Sequence, residues 1–372
     1  MPTTPIHPAR TGRAQDRRVF PLVPLCTALV WGGMAAGPAA GQGAAPAAAQ
    51  PAAAAPAAPP AAAEARQAAA AERLKLTTSD GFALAAWHYP ATQPDTDGAT
   101  PAPPPPVVIL LHDVGGSHES LESMARELQA RGITVVAPDL RGHGATTPPQ
   151  GQDLEAKSIK KADFEAMVVT GGGRVRAQAS DRGDVEAVRE WIRERAEAGK
   201  LDMRKLILVG SGVGAAVAAQ WAVADASWPD LASGPQGRDV RGIVLVSPAW
   251  TTRGFSISPA LAAEPVRRTV PILVIGGVQD ADAVKIYEQL KRQRPDGWNE
   301  KRAGQTEAKL APKLEEAQQR GAEPRPTLWL RILDTRLSGD RLADYVPKDR
   351  AATGLPADLV GKFLGVVTAP EQ

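Results

Sequence analysis

Residues 107–111 read Val-Val-Ile-Leu-Leu, and this run constrains the fold more than any other feature of the chain. A strand that is apolar at every position has no face for water. It has to be covered on both sides, as in a parallel sheet sandwiched between helices. Similar short runs recur at 133–137, 206–209, 243–246, 272–275 and 328–333. Between them lie segments with helical spacing of apolar residues: 121–130 (Leu121, Met124, Ala125, Leu128), 184–196, 213–223 and 281–292, with 357–364 as a closing helix. The alternation predicts an α/β fold, a mainly parallel sheet with helices on both faces. Ahead of it, 74–78 and 82–89 alternate around Ser79-Asp80-Gly81, which predicts an antiparallel leading hairpin.

The first 73 residues have a different character. Arg10, Arg13, Arg17 and Arg18 precede an apolar run, 19–30, and then a zone of small residues. That order predicts a secretory signal peptide over residues 1–40. The run is short and broken by Pro21 and Pro24, so no membrane span is expected in the mature chain. Arg17-Arg18 also suits twin-arginine export. The single Cys, Cys26, would leave with the signal, and one Cys supports neither a disulfide framework nor a Cys-based zinc site. Residues 41–73 are almost all Ala and Pro and carry too little apolar bulk to offset ordering entropy; they read as a disordered linker. The folded domain is then 74–368. Within it, 93–106 ends in four prolines and reads as a surface loop, and about 296–325 as a polar, solvated insertion, helical over 306–320. The expected location is outside the cytoplasm: periplasm, cell envelope or medium, with an uncleaved N-terminal membrane anchor as the lesser alternative. The net charge is +2, and loss of the signal takes four Arg and one Asp, so no strong positive field remains for nucleic acid.

Three motifs follow successive parallel strands: His112-Asp113-Val114-Gly115-Gly116-Ser117, Asp139-Leu140-Arg141-Gly142-His143-Gly144 and Gly210-Ser211-Gly212-Val213-Gly214-Ala215. In this order and at these strand ends, the chain resembles the α/β-hydrolase family over roughly 74–364, most of all its lysophospholipase and serine-aminopeptidase-like branch. The resemblance implies a cleft at the carboxyl ends of the strands and an oxyanion hole made by the amides of Val114 and Val213. In the family the first motif opens His-Gly; here Asp113 replaces that Gly, and a carboxylate at this place opposes an oxyanion unless it faces outward.

The third motif corresponds to the family's Gly-x-Ser-x-Gly elbow. Aligned on its framing glycines, Gly210 and Gly214, the nucleophile position is Gly212, which has nothing to attack with. Ser211 is one place too early on a tight turn. Asp280 fills the position of the triad acid, with Asp282 as the near alternative and an N-cap for the following helix as its simpler role. All five histidines (His7, His88, His112, His118, His143) precede the elbow, and the loop after the last strand, 334–341, offers no imidazole. His112, His118, Arg141 and His143 read as loop anchors. Glycine at the elbow would widen the floor of the cleft. No cofactor and no metal is expected: His112-Asp113 with His118-Glu119 is too loose a set, and Gly171-Gly172-Gly173-Arg174 lacks the strand and helix of a phosphate loop. The expected function is an exported protein with a relic cleft that binds an unknown small molecule or protein, without triad catalysis. The alternatives are a serine hydrolase using Ser211 as a displaced nucleophile and a tethered structural domain.

Overall fold

A computed structural model of the chain describes residues 69–92, 102–169, 183–229, 237–350 and 354–369. All of these lie in the second of the two units into which the chain divides, residues 62–372. The stretches expected to be a signal peptide and most of a linker, the first part of the proline-rich segment and the Gly171–Arg174 run fall outside the described residues.

The strands are β1 (Glu72–Thr77), β2 (Ala83–Tyr89), β3 (Pro106–Leu111), β4 (Thr134–Pro138), β5 (Asp202–Ser211), β6 (Val240–Val246), the short pair β7 (Thr251–Thr252) and β8 (Phe255–Ser256), β9 (Ile272–Gly277), β10 (Trp298–Lys301), β11 (Lys309–Leu310) and β12 (Leu328–Leu333). The helices used below are α1 (Glu122–Ala130), α2 (Lys161–Val168), α3 (Asp184–Glu197), α4 (Val213–Ala226), α5 (Ser258–Ala262), α6 (Ala281–Gln293), α7 (Pro312–Gln319), α8 (Asp340–Ala343) and α9 (Pro356–Val367). All strands but β7 and β8 form one ten-stranded sheet in the order β1-β2-β4-β3-β5-β6-β9-β12-β10-β11. From β4 to β10 every neighbouring pair is parallel; β1–β2, β2–β4 and β10–β11 are antiparallel. This is the α/β architecture expected, leading hairpin included.

The apolar runs explain the layering. On β3, Val107, Ile109 and Leu111 enter one core with residues of α2, α3, α4 and α6, while Val108 and Leu110 enter a second with α1 and α9. Each of the five is fully buried. At ~1.5–3 kcal/mol for a buried aliphatic side chain, this one strand contributes on the order of 10 kcal/mol before entropy is counted.

Three expectations need correction. Ordered structure begins before residue 74, where the expected linker ends: β1 starts at Glu72, and the Ala69 carbonyl accepts from Gln129 at 3.0 Å and from Arg126 at 3.2 Å. Pro106 is not in a loop but opens β3, the one place in a central strand where a missing N–H costs no ladder bond. The 296–325 segment is not simply a solvated helix. Its β10 adds to the sheet in parallel with β12, β11 pairs back on β10, and the helix is shorter, Pro312–Gln319.

Candidate functional site

The elbow is built by three glycines doing different work. A Cβ on Gly210 would lie 2.2 Å from the Gly214 carbonyl oxygen, and one on Gly214 would lie 2.4 Å from that of Leu111. Both are needed for α4 to start directly against β5 and β3. Between them, Gly212 has φ 52° and ψ −116°, a sharp turn from strand into helix. The nucleophile position is thus formed in backbone alone.

Its space is taken. A Cβ on Gly212 would come within 2.0–2.2 Å of Cγ, Oδ1 and Oδ2 of Asp113. Asp113 faces inward, not out, and its Oδ1 accepts from the amides of Val213 (2.9 Å) and Val114 (2.7 Å). These are the two donors that the resemblance assigns to the oxyanion hole. The protein therefore places its own carboxylate where a reacting oxygen and nucleophile would sit. The floor is not widened by glycine; Asp113 fills it. Burial pushes the Asp113 carboxyl up, and the two amides pull it back.

A second carboxyl, not singled out in the sequence, supports the first. Asp340 opens α8 just after the last strand's loop, and its Oδ1 accepts from the Asp113 amide at 2.8 Å. Burial raises its carboxyl too; the Asp113 amide and the Ser211 and Ser120 hydroxyls act the other way. A Cβ on Gly116 would fall 2.1 Å from Asp340 Oδ2, so the Gly115-Gly116 turn makes room for this side chain. In the sequence it shows only as an acid after a glycine in the loop that follows the last strand, and that is common.

Asp280 caps α6, its Oδ1 accepting from the Ala283 amide at 2.9 Å. Burial raises its carboxyl against the pull of the Ser247 hydroxyl. Asp282 accepts from the Trp250 amide at 2.8 Å. Asp113, Gly212, Asp280 and Asp282 line one cleft of about 480 Å³ with Ser247, Pro248, Arg336 and the 337–339 turn. Ser211 is not among its lining residues: the residue is 1% exposed and its hydroxyl is buried. Gly339 (φ 57°) stands in the 334–341 loop after β12, where a Cβ would lie 2.9 Å from Asp113 Oδ2.

The histidines are held as anchors. His112 accepts from the Leu140 amide through Nε2 (3.0 Å) and donates from Nδ1 to the Asp113 carbonyl (2.7 Å), which fixes the neutral ring. Burial, with His143 beside it, lowers its pKa to about 4. His143 accepts from the Gly115 amide (2.9 Å) and faces the Arg141 carbonyl. His118 bonds Asp139 at 2.9 Å and stacks on Trp87. Arg141 joins buried Asp184 (2.7 Å) to Asp80 (2.6 Å). Among the described residues, no three His, Cys, Asp or Glu side chains are grouped to hold a metal ion, and no helix is long and apolar enough to cross a membrane.

Comparison with known proteins agrees with the fold. The model of the alpha/beta hydrolase family matches residues 108–369. Among curated proteins, the uncharacterized protein YnbC of Escherichia coli (strain K12) is 28% identical over 190 residues, 50% of this chain and 25% of YnbC. The uncharacterized protein Mb2734 of Mycobacterium bovis is 27% identical over 161 residues, 43% of this chain and 34% of the relative. The chain thus spans a quarter to a third of the length of these relatives. Among solved structures, esterase 2 of Thermogutta terrifontis is similar with a TM-score of 0.47 and 16% identity, covering 81% of this chain and 96% of that one. An esterase of Pyrococcus furiosus has a TM-score of 0.42 and 15% identity, covering 79% and 92%.

Proposed function

From the premise that this chain belongs to the alpha/beta hydrolase family, we propose that it is an exported member that has given up triad catalysis and works by binding a small molecule or a protein at the cleft. The observation that carries this reading is the Asp113 carboxylate seated on the amides of Val114 and Val213, over a glycine elbow. An oxyanion hole acts by meeting negative charge that develops in the transition state. Here that charge is already supplied by the protein, and a second anion would be repelled. Loss of the nucleophile at Gly212 and of any imidazole after β12 points the same way. The cleft itself persists, with Asp113, Asp280 and Asp282 against a single cation, Arg336, which favours ligands that donate hydrogen bonds or carry positive charge.

The test is a fluorophosphonate probe on the full-length protein, beside short-chain nitrophenyl ester turnover. No labelling and no turnover above buffer is the expected result. Stoichiometric labelling of Ser211, lost in Ser211→Ala, overturns the reading and establishes a displaced serine nucleophile. Export is tested by N-terminal sequencing of protein from the envelope and medium of expressing cells. A mature chain beginning near residue 40 is expected; an intact Met1 in the cytoplasmic fraction refutes export.

A further inference from the structure

A second cavity, of about 780 Å³, lies between β12, the loop following β10, and α9. Its floor is apolar: Leu273, Trp329, Leu333 and Phe363, with the 38%-exposed Val366 at its mouth. One residue breaks that surface. On β12 the odd-numbered positions Trp329 and Leu333 belong to the core on this face, and Arg331 stands between them. Among the described residues, its guanidinium is bonded only to the backbone carbonyls of Leu330 (2.8 Å) and Asn299 (3.3 Å), both neutral. Lys301 is its direct cross-strand partner on β10, and both line the cavity. Cations gathered on one cavity wall repel, and an anion bound among them relieves that repulsion. Lys362 adds a third cation from α9, while Arg302 is engaged by Glu300 and Glu288. Asp334 and Asp349 also line the cavity.

We infer that this cavity binds an organic carboxylate with an apolar body, in the manner of a medium-chain fatty acid. The guanidinium fork matches a carboxylate in two-point geometry. The Trp329–Phe363 floor takes the hydrocarbon, and the volume lies in the range of small-ligand sites. The inference is independent of the cleft at Gly212.

The experiment is calorimetric titration of the full-length protein with decanoate, and with decanol as its uncharged counterpart. Saturable 1:1 decanoate binding is expected, at least tenfold tighter than decanol. Arg331→Gln, its fold checked by circular dichroism, should weaken decanoate at least tenfold and leave decanol within twofold. Lys301→Glu provides a second route should Arg331→Gln not fold, with the same expected loss. Arg336→Ala, in the other cleft, should leave decanoate affinity within twofold. Absence of decanoate binding overturns the inference. So does equal affinity for decanol, or full affinity in folded Arg331→Gln or Lys301→Glu. Loss on Arg336→Ala alone would place the anion in the other cleft and overturn it as well.

Discussion

Replacing Gly212 by Ala puts the central geometric finding at risk in a measurable way. Two costs arise. The backbone at φ 52°, ψ −116° disfavours any side chain, at ~1–3 kcal/mol. The new Cβ, 2.0 Å from Asp113 Cγ, also expels the carboxylate. Leaving Val114 and Val213 forfeits two charge-assisted hydrogen bonds of ~1.5–3 kcal/mol each. Gly212→Ala should therefore lose about 4–9 kcal/mol, a large part of a typical domain's 5–15 kcal/mol. In an Asp113→Ala background the obstacle is gone and only the backbone cost of ~1–3 kcal/mol remains. Urea unfolding of the four proteins in the double-mutant cycle, followed by far-ultraviolet circular dichroism, should give a coupling of at least about 3 kcal/mol. If Gly212→Ala costs the same with and without Asp113, the carboxylate does not occupy the nucleophile's place and the proposed function loses its main support.

Other expectations follow from buried charge. Glu186 is 4% exposed, and burial pushes its pKa up to about 8, with Asp225 raised to about 6 for the same reason. Groups raised in the folded state stabilise below their unfolded pKa and lose that contribution as pH rises through the folded one, so thermal stability should fall between pH 5 and 8, by at most about 5 kcal/mol from Glu186; Glu186→Gln should flatten the profile, and an unchanged slope in the variant refutes the assignment. His112 runs the opposite way: its lowered pKa of about 4 means stability present above pH 6.5 is lost as pH falls through 4, and its imidazole should still be neutral by NMR at pH 5. Arg141→Met strands the fully buried Asp184 carboxylate and should cost about 3–5 kcal/mol in urea unfolding, partly recovered by adding Asp184→Asn. A loss under 1 kcal/mol would count against that pairing.

The sequence carries the architecture because the doubly buried strands are written as unbroken apolar runs. Residues 328–333 coincide with β12, and the other central strands start or end within a few residues of their runs. Where burial is one-sided the signal fades. Trp298–Lys301 is a four-residue strand near the sheet edge with two charges, and its pattern cannot be told from loop. At the site, the elbow glycines and the replacement of a glycine by Asp113 are visible in the letters. The direction in which Asp113 points is not. It is decided by the Val213 amide, one hundred residues away, and by Asp340 holding the Asp113 backbone from behind. Such side-chain direction is a property of three strands brought together, and no local pattern contains it.

The ends of the sheet bear on how the protein behaves in crowded surroundings. An open strand edge is a template for recruiting other chains. At one margin, β11 is only two residues long and is followed by Pro312, which offers no amide for further pairing. At the other, β1 reads Glu-Arg-Leu-Lys-Leu-Thr, with charge at three of six positions. Among the described residues, neither margin provides a long flat apolar ledge, so self-association through strand addition is discouraged at both flanks and the molecule should resist fibrillar growth at high concentration.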